Sequence, residues 1–85
     1  MYYVYILYSY IIEEHYCGQT NNLDDRLMRH NAGETQSIKH GIPWKLMGYI
    51  ITDLRSEAML LEKQIKKRGI RRWLLANADK LVQPQ

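Results

Sequence analysis

Residues 2–8, Tyr2-Tyr3-Val4-Tyr5-Ile6-Leu7-Tyr8, decide the fold. All seven are β-branched, aromatic or aliphatic, and none breaks a strand. Alternation puts Val4 and Ile6 on one face and Tyr3, Tyr5 and Leu7 on the other, so neither face reads as fully wet. A second strand is expected at about His15–Thr20, joined through a loop carrying Glu13 and Glu14 to make an antiparallel hairpin. Asn21-Asn22 then offers an N-cap, Asp24 and Asp25 suit the positive end of a helix dipole, and Gly33 supplies a stop. These signals predict a helix over Leu23–Asn31. Ala32 to Pro43 is polar, punctuated by Gly41 and Pro43, and reads as a loop. Lys45–Thr52 make a third strand. Ser56 is a natural N-cap, followed by Glu57, for a helix running to Gly69, and a third helix covers Ile70–Ala78. The tail with Pro84 is expected to fray. The order β-β-α-β-α-α specifies an α/β domain of the α+β kind, a small three-stranded antiparallel sheet flanked by helices. It spans residues 1–85 as one domain, with about 2–78 ordered.

At 85 residues a single core is all the chain can build. Its 46% hydrophobic and 25% charged residues exclude a disordered tail, a collagen-like fibre and a coiled coil. No apolar run approaches the ~20 residues of a membrane span. The first residues lack the charge and small-residue site of a signal peptide. The lone Cys17 excludes an intrachain disulfide and a cysteine zinc cluster. These features together point to the cytoplasm and to no membrane partner. Seven Tyr and no Phe, six of those Tyr within the first sixteen residues, supply more hydroxyls than a core requires.

The net charge of +3 is unevenly placed. From Arg55 to Arg72, Arg55, Lys63, Lys66, Lys67, Arg68, Arg71 and Arg72 oppose only Glu57 and Glu62, a balance of +5 that leaves −2 elsewhere. Such a patch fits either a solvated helix face or a partner that is a polyanion, and nucleic acid is the commonest in a cytoplasm.

Polar residues also fall on apolar helix faces. At about 100° per residue, Arg26 (about 300°) and His30 (about 340°) point with Leu23 and Leu27. On the second helix Glu62 lies about 40° from Ala58, beside Leu61 and Ile65. On the third, Asn77 lies about 340° from Ile70, within the stripe of Ile70, Trp73, Leu74 and Leu81. Buried charges survive only if paired, metal-bound or lining a wet cleft. A buried Arg26–Glu62 pair is one reading. The other is a site in which a cation meets phosphate, a carboxylate meets a hard divalent ion, and Tyr5 and Tyr16 supply hydroxyls near the nucleophile. Trp44 and Trp73 are expected to pack, and Cys17 to be a small core residue.

Tyr3-Val4-Tyr5, then Tyr16-Cys17-Gly18, Gln19-Thr20-Asn21-Asn22-Leu23-Asp24-Asp25-Arg26-Leu27 and His30-Asn31, resemble the GIY-YIG nuclease superfamily. The resemblance extends through Ser56-Glu57-Ala58, Glu62 and Ile65-Lys66-Lys67, about residues 2 to 73. It is nearest to small stand-alone members, and the family includes the nuclease domain of the bacterial excision-repair endonuclease. Two features depart from the family pattern: Tyr3 replaces the first motif's Gly, and Cys17 the second motif's aliphatic residue. The resemblance implies a metal-dependent endonuclease that hydrolyses DNA phosphodiesters, in repair or recombination. It assigns Tyr5 and Tyr16 to the two motif tyrosines, Gly18 to a close approach, Arg26 to the catalytic Arg and His30 to a His/Tyr position. Glu62 would hold one Mg²⁺ or Mn²⁺, and Asn77 corresponds to a late Asn. Lys63, Lys66, Lys67, Arg68, Arg71 and Arg72 would hold flanking phosphates. Targeting would come from a homodimer, a partner protein or the substrate's shape. A catalytically inactive nucleic-acid-binding module of the same fold and a protein-interaction domain are the competing readings.

Overall fold

The computed structural model describes residues 1–84. Strand β1 (Tyr2–Ser9) pairs antiparallel with β2 (Glu14–Thr20) on one side and β3 (Trp44–Thr52) on the other, in the order β2-β1-β3. Helix α1 (Leu23–Asn31) follows β2, while α2 (Arg55–Arg68) and α3 (Ile70–Asn77) follow β3. The expected three-stranded α+β arrangement is the one observed.

The alternation of β1 divides the interior in two. Val4 and Ile6 are buried with Cys17, Ala58, Ile65 and Trp73, a wholly apolar cluster under α2 and α3. Tyr5 and Leu7 are buried on the opposite face with Ile38 and Trp44, and Tyr16, Leu23, Leu27 and Tyr49 pack around them. Both tryptophans are thus packing residues, and the Trp44 indole donates to the Ile38 carbonyl at 2.8 Å. Burial pushes the Cys17 thiol up to about 12, so it stays protonated and inert.

Helix α1 starts and stops where its signals say. The Asn22 side chain accepts from the Asp25 amide at 3.1 Å, and Asp25 pairs with Arg29 at 3.0 Å. Helix α2 does not start at Ser56. The Glu57 carboxylate reaches back to the Leu54 amide at 3.0 Å, which makes Leu54 the N-cap and puts Ser56 inside the first turn. A leucine has no acceptor to return the bond, so this is half of a capping box. Gly69, at φ 95°, breaks the backbone between α2 and α3.

The segment expected to be a plain loop contains a 3₁₀ helix, Gln36–Gly41. Its Ile38 caps the Tyr5 face, an apolar contact that polar punctuation concealed. Asn31 then fastens α1 to β3: its side chain accepts from the Trp44 amide at 2.6 Å and donates to the Trp44 carbonyl at 3.0 Å. Past Asn77 the chain makes one 3₁₀ turn (Ala78–Lys80) and returns to the sheet, where Val82 and Tyr49 exchange backbone hydrogen bonds of 2.8 and 3.0 Å. Among the described residues no helix is long and apolar enough to cross a membrane.

Candidate active site

Strand β2 lies at the sheet edge, with α1 flanking it on one face and α2 on the other. The polar residues that break the helix stripes converge on this edge. Tyr5, on the central strand, is paired in register with Gly18 of β2. A Cβ built on Gly18 would overlap the Tyr5 hydroxyl, standing 2.7 Å from Tyr5 Cζ and 3.2 Å from Tyr16 Cε2. Tyr5 is held by the core and has no room to yield, so the absence of a side chain at 18 is what lets its hydroxyl reach the edge.

The Tyr5 hydroxyl lies 2.8 Å from His30 Nε2, and His30 Nδ1 lies 2.7 Å from Thr35 Oγ1. His30 is completely buried, as its position among the leucines of α1 implies. Burial, and next the charge of Arg26, lower its pKa and keep it neutral. With the Nδ1 proton donated to Thr35, Nε2 accepts from Tyr5; with the other tautomer the direction reverses along the whole chain. Burial pushes Tyr5 up to about 12, against the opposing effect of the neighbouring Arg26 guanidinium. Arg26 is near enough to act on that hydroxyl, yet its own Nε is buried with no hydrogen-bond partner among the described residues. An orphaned cationic donor of this kind is expensive in isolation and suited to an anion.

The Arg26–Glu62 pair weighed from the sequence does not form. Glu62, half-buried on α2, pairs instead with Lys66 at 2.6 Å, one turn on. The Lys66 ammonium also lies 5.6 Å from the centre of the Tyr16 ring, and the Glu62 carboxylate raises its pKa despite partial burial. Glu62 bears electrostatically on Tyr5 as well. The structure therefore gathers Tyr5, Tyr16, Gly18, Arg26, His30, Glu62 and Lys66 about the β2 edge. Lys63, Lys67, Arg68, Arg71 and Arg72 are exposed on α2 and α3. Asn77 stands apart in its hydrogen bonding, donating to the Trp73 carbonyl of its own helix at 3.0 Å.

Among the described residues no group of three or more His, Cys, Asp or Glu is placed to hold a metal ion. Glu62 is a lone carboxylate with one oxygen taken by Lys66 and Oε1 without a protein partner among the described residues. That donor set suits a hard divalent ion bound through one protein oxygen, the rest of its shell being water and phosphate.

Sequence reasoning missed two contributors. Thr35 occupies the N-cap of the 3₁₀ helix yet makes no capping bond, because its hydroxyl serves His30. Nothing in the local sequence marks it. The second is a cleft of about 350 Å³ lined by Tyr2, Gln19, Thr20, Asn21, Arg26 and Arg55. A cation in the first turn of a helix, where the dipole disfavours it, was the available signal for Arg55.

Comparison with known proteins identifies the family. Residues 1–72 match the model of the GIY-YIG catalytic domain. UPF0213 proteins of Streptococcus pyogenes serotype M5 and of two serotype M3 strains are each 35% identical over 74 residues, covering 81% of this chain and 80% of theirs. No solved structure matches. Motif tyrosines on adjacent strands, the Gly18 approach, and an Arg and His on the following helix form one edge site, and the chain carrying it belongs to the GIY-YIG family.

Proposed function

We propose that the protein is a divalent-metal-dependent endonuclease that hydrolyses phosphodiester bonds in DNA, with repair or recombination as its setting. One observation carries the reading: the Arg26 guanidinium, whose Nε has no hydrogen-bond partner among the described residues, acts on a buried Tyr5 hydroxyl that is itself hydrogen-bonded to a neutral imidazole. A cationic donor without a partner suits a phosphate, and the phenol next to it suits the attacking water.

Arg26 neutralises charge as it grows on the phosphate oxygens, a task for which a guanidinium fork suits better than an ammonium. Tyr5 passes its proton to His30 Nε2 as it takes one from the attacking water, Thr35 Oγ1 accepts the Nδ1–H hydrogen bond that sets the imidazole in this sense, and the departing oxygen takes a proton from solvent. Tyr16 has no such proton acceptor among the described residues, which favours Tyr5 as the base and leaves Tyr16 to position substrate beside Lys66. Glu62 would hold the Mg²⁺ or Mn²⁺, which supplies Lewis-acid polarisation of the phosphate. Lys63, Lys66, Lys67, Arg68, Arg71 and Arg72 hold flanking phosphates without reading sequence. Asn77 joins them only if its side chain leaves the Trp73 carbonyl. Substrate shape, a second copy or a partner protein supplies targeting.

The Glu62–Lys66 ion pair favours a second reading, a nucleic-acid-binding module without turnover, because the carboxylate is already neutralised. Nicking of supercoiled plasmid and cleavage of flap DNA with Mg²⁺ or Mn²⁺ separate the two. Wild type is expected to cut, and Glu62→Gln and Arg26→Ala to lose about 10²-fold or more in rate. Variants that cut as well as wild type would overturn the nuclease reading; salt-sensitive binding without any cutting would establish the module.

A further inference from the structure

The cleft shared by Arg26 and Arg55 opens at the Thr20 end of β2. Two arginines line it together with the polar residues Gln19, Thr20 and Asn21. Among the described residues neither Arg is in an ion pair. The cleft therefore holds two arginines that no carboxylate pairs with among the described residues.

The geometry of α2 connects this cleft to Glu62. Arg55 and Glu62 are seven residues apart, which puts them within about 20° on one helix face and about 10 Å apart along the axis. Lys66 continues the same stripe one turn on. At one end Arg55 meets Gln19 and Thr20, and at the other Lys66 lies over Tyr16. The stripe Arg55, Glu62, Lys66 thus runs beside the β2 edge, with a cation on either side of the carboxylate.

We propose that Arg55 and Arg26 form a phosphate-binding cleft that holds the backbone phosphate next to the one being cut, and that Arg55 is its dedicated residue. This deepens the nuclease reading and rests on it. Arg26 faces both places: it stands beside Tyr5 and also lines the cleft, so it spans adjacent phosphates, while Arg55 touches only the outer one. The cleft fixes the register of the strand along α2, and Lys66 holds the strand on the far side of Glu62. Recognition here is of phosphate, without regard to base.

Two measurements test it. Titration of the ¹⁵N-labelled protein with inorganic phosphate, followed through the arginine Nε–H signals, needs no cutting. Arg26 and Arg55 are expected to shift together while Arg29, already paired with Asp25, does not. The second measures binding of a labelled DNA duplex against salt in the absence of divalent metal. Arg55→Gln is expected to reduce the slope of log K against log salt by about 0.9, the value for one lost phosphate contact, and Arg55→Lys to restore it. Phosphate that leaves both arginine signals still, or an Arg55→Gln slope equal to wild type, overturns the cleft. If phosphate shifts both signals and the slope changes in a protein that never cuts DNA, the nuclease reading fails and the cleft stands.

Discussion

The two faces of this sheet are made by alternate residues of one strand, yet they obey different rules. The face of Val4 and Ile6 is dry: every buried partner, Cys17, Ala58, Ile65 and Trp73, is packing. The face of Tyr5 and Leu7 is just as well covered but contains a fully buried His30, a phenol bonded to it and an arginine nitrogen with no partner among the described residues. Burying such groups costs free energy that apolar side chains of the same size would not. A domain this small has little stability to spare. On the nuclease reading, the contrast teaches that one face is built for stability alone while the other gives up some stability for chemistry.

The sharpest way to break that division is to damage each face separately. On the dry face, Ile65→Ala removes a fully buried side chain and is expected to cost about 2–5 kcal/mol by denaturant unfolding. Activity per folded molecule should stay near wild type, because Tyr5 and the side chains packed around it lie on the opposite face of the sheet. If cutting falls faster than the folded fraction, the faces are coupled and the division is wrong.

On the polar face the largest effect belongs to Gly18→Ala. Its methyl group meets a Tyr5 ring wedged in the core, and overpacking of this kind costs about 1–3 kcal/mol. The loss of activity should exceed the loss of stability, since relief requires the Tyr5 hydroxyl to leave His30. A nicking rate close to wild type in the folded fraction would show that Tyr5 can move without consequence. Tyr5→Phe is gentler on the fold. It strands His30 Nε2 without its partner, a cost of about 1–3 kcal/mol that a water entering from the edge would reduce. It should still lower the cutting rate by about 10²-fold if Tyr5 is the base, whereas Tyr16→Phe should lower it less.

The dry face was largely legible in the sequence because apolar periodicity encodes it directly. The alternation of β1 and the stripe of Ala58, Leu61 and Ile65 name their own partners. The polar face was legible only as a set of exceptions: Arg26, His30 and Glu62 stood out by pointing inward, but the sequence left open whether Arg26 met Glu62. The answer depends on distances across the sheet edge that no helical wheel contains, and Lys66, one turn from Glu62, takes the carboxylate first. Thr35 was invisible because its role arises from a 3₁₀ segment whose apolar anchor, Ile38, is a single residue in a polar stretch. The start of α2 was misplaced for a related reason: the Glu57 side chain, two residues into the helix, outcompeted the hydroxyl of Ser56.

The smallest expected effect is on acid stability, and it reads the two faces against each other. His30 has its pKa lowered by burial and then by Arg26, and His15, beside α3, has its pKa lowered by burial and then by Arg71. A histidine held neutral in the fold binds fewer protons than it does unfolded, so its contribution is fully present above about pH 6.5. That contribution is lost as pH falls through the folded pKa. Urea unfolding at pH 7.5 and pH 5 should therefore show a decline, and His30→Gln should flatten it more than His15→Gln, because His30 is fully buried and His15 only partly. Equal slopes in His30→Gln and wild type would mean that the imidazole is not held neutral. DNA sharpens the test further. A phosphate against Arg26 cancels the positive charge that bears on His30, so bound protein should protonate His30 at a higher pH than free protein, which is the direction needed for the imidazole to receive the proton of Tyr5.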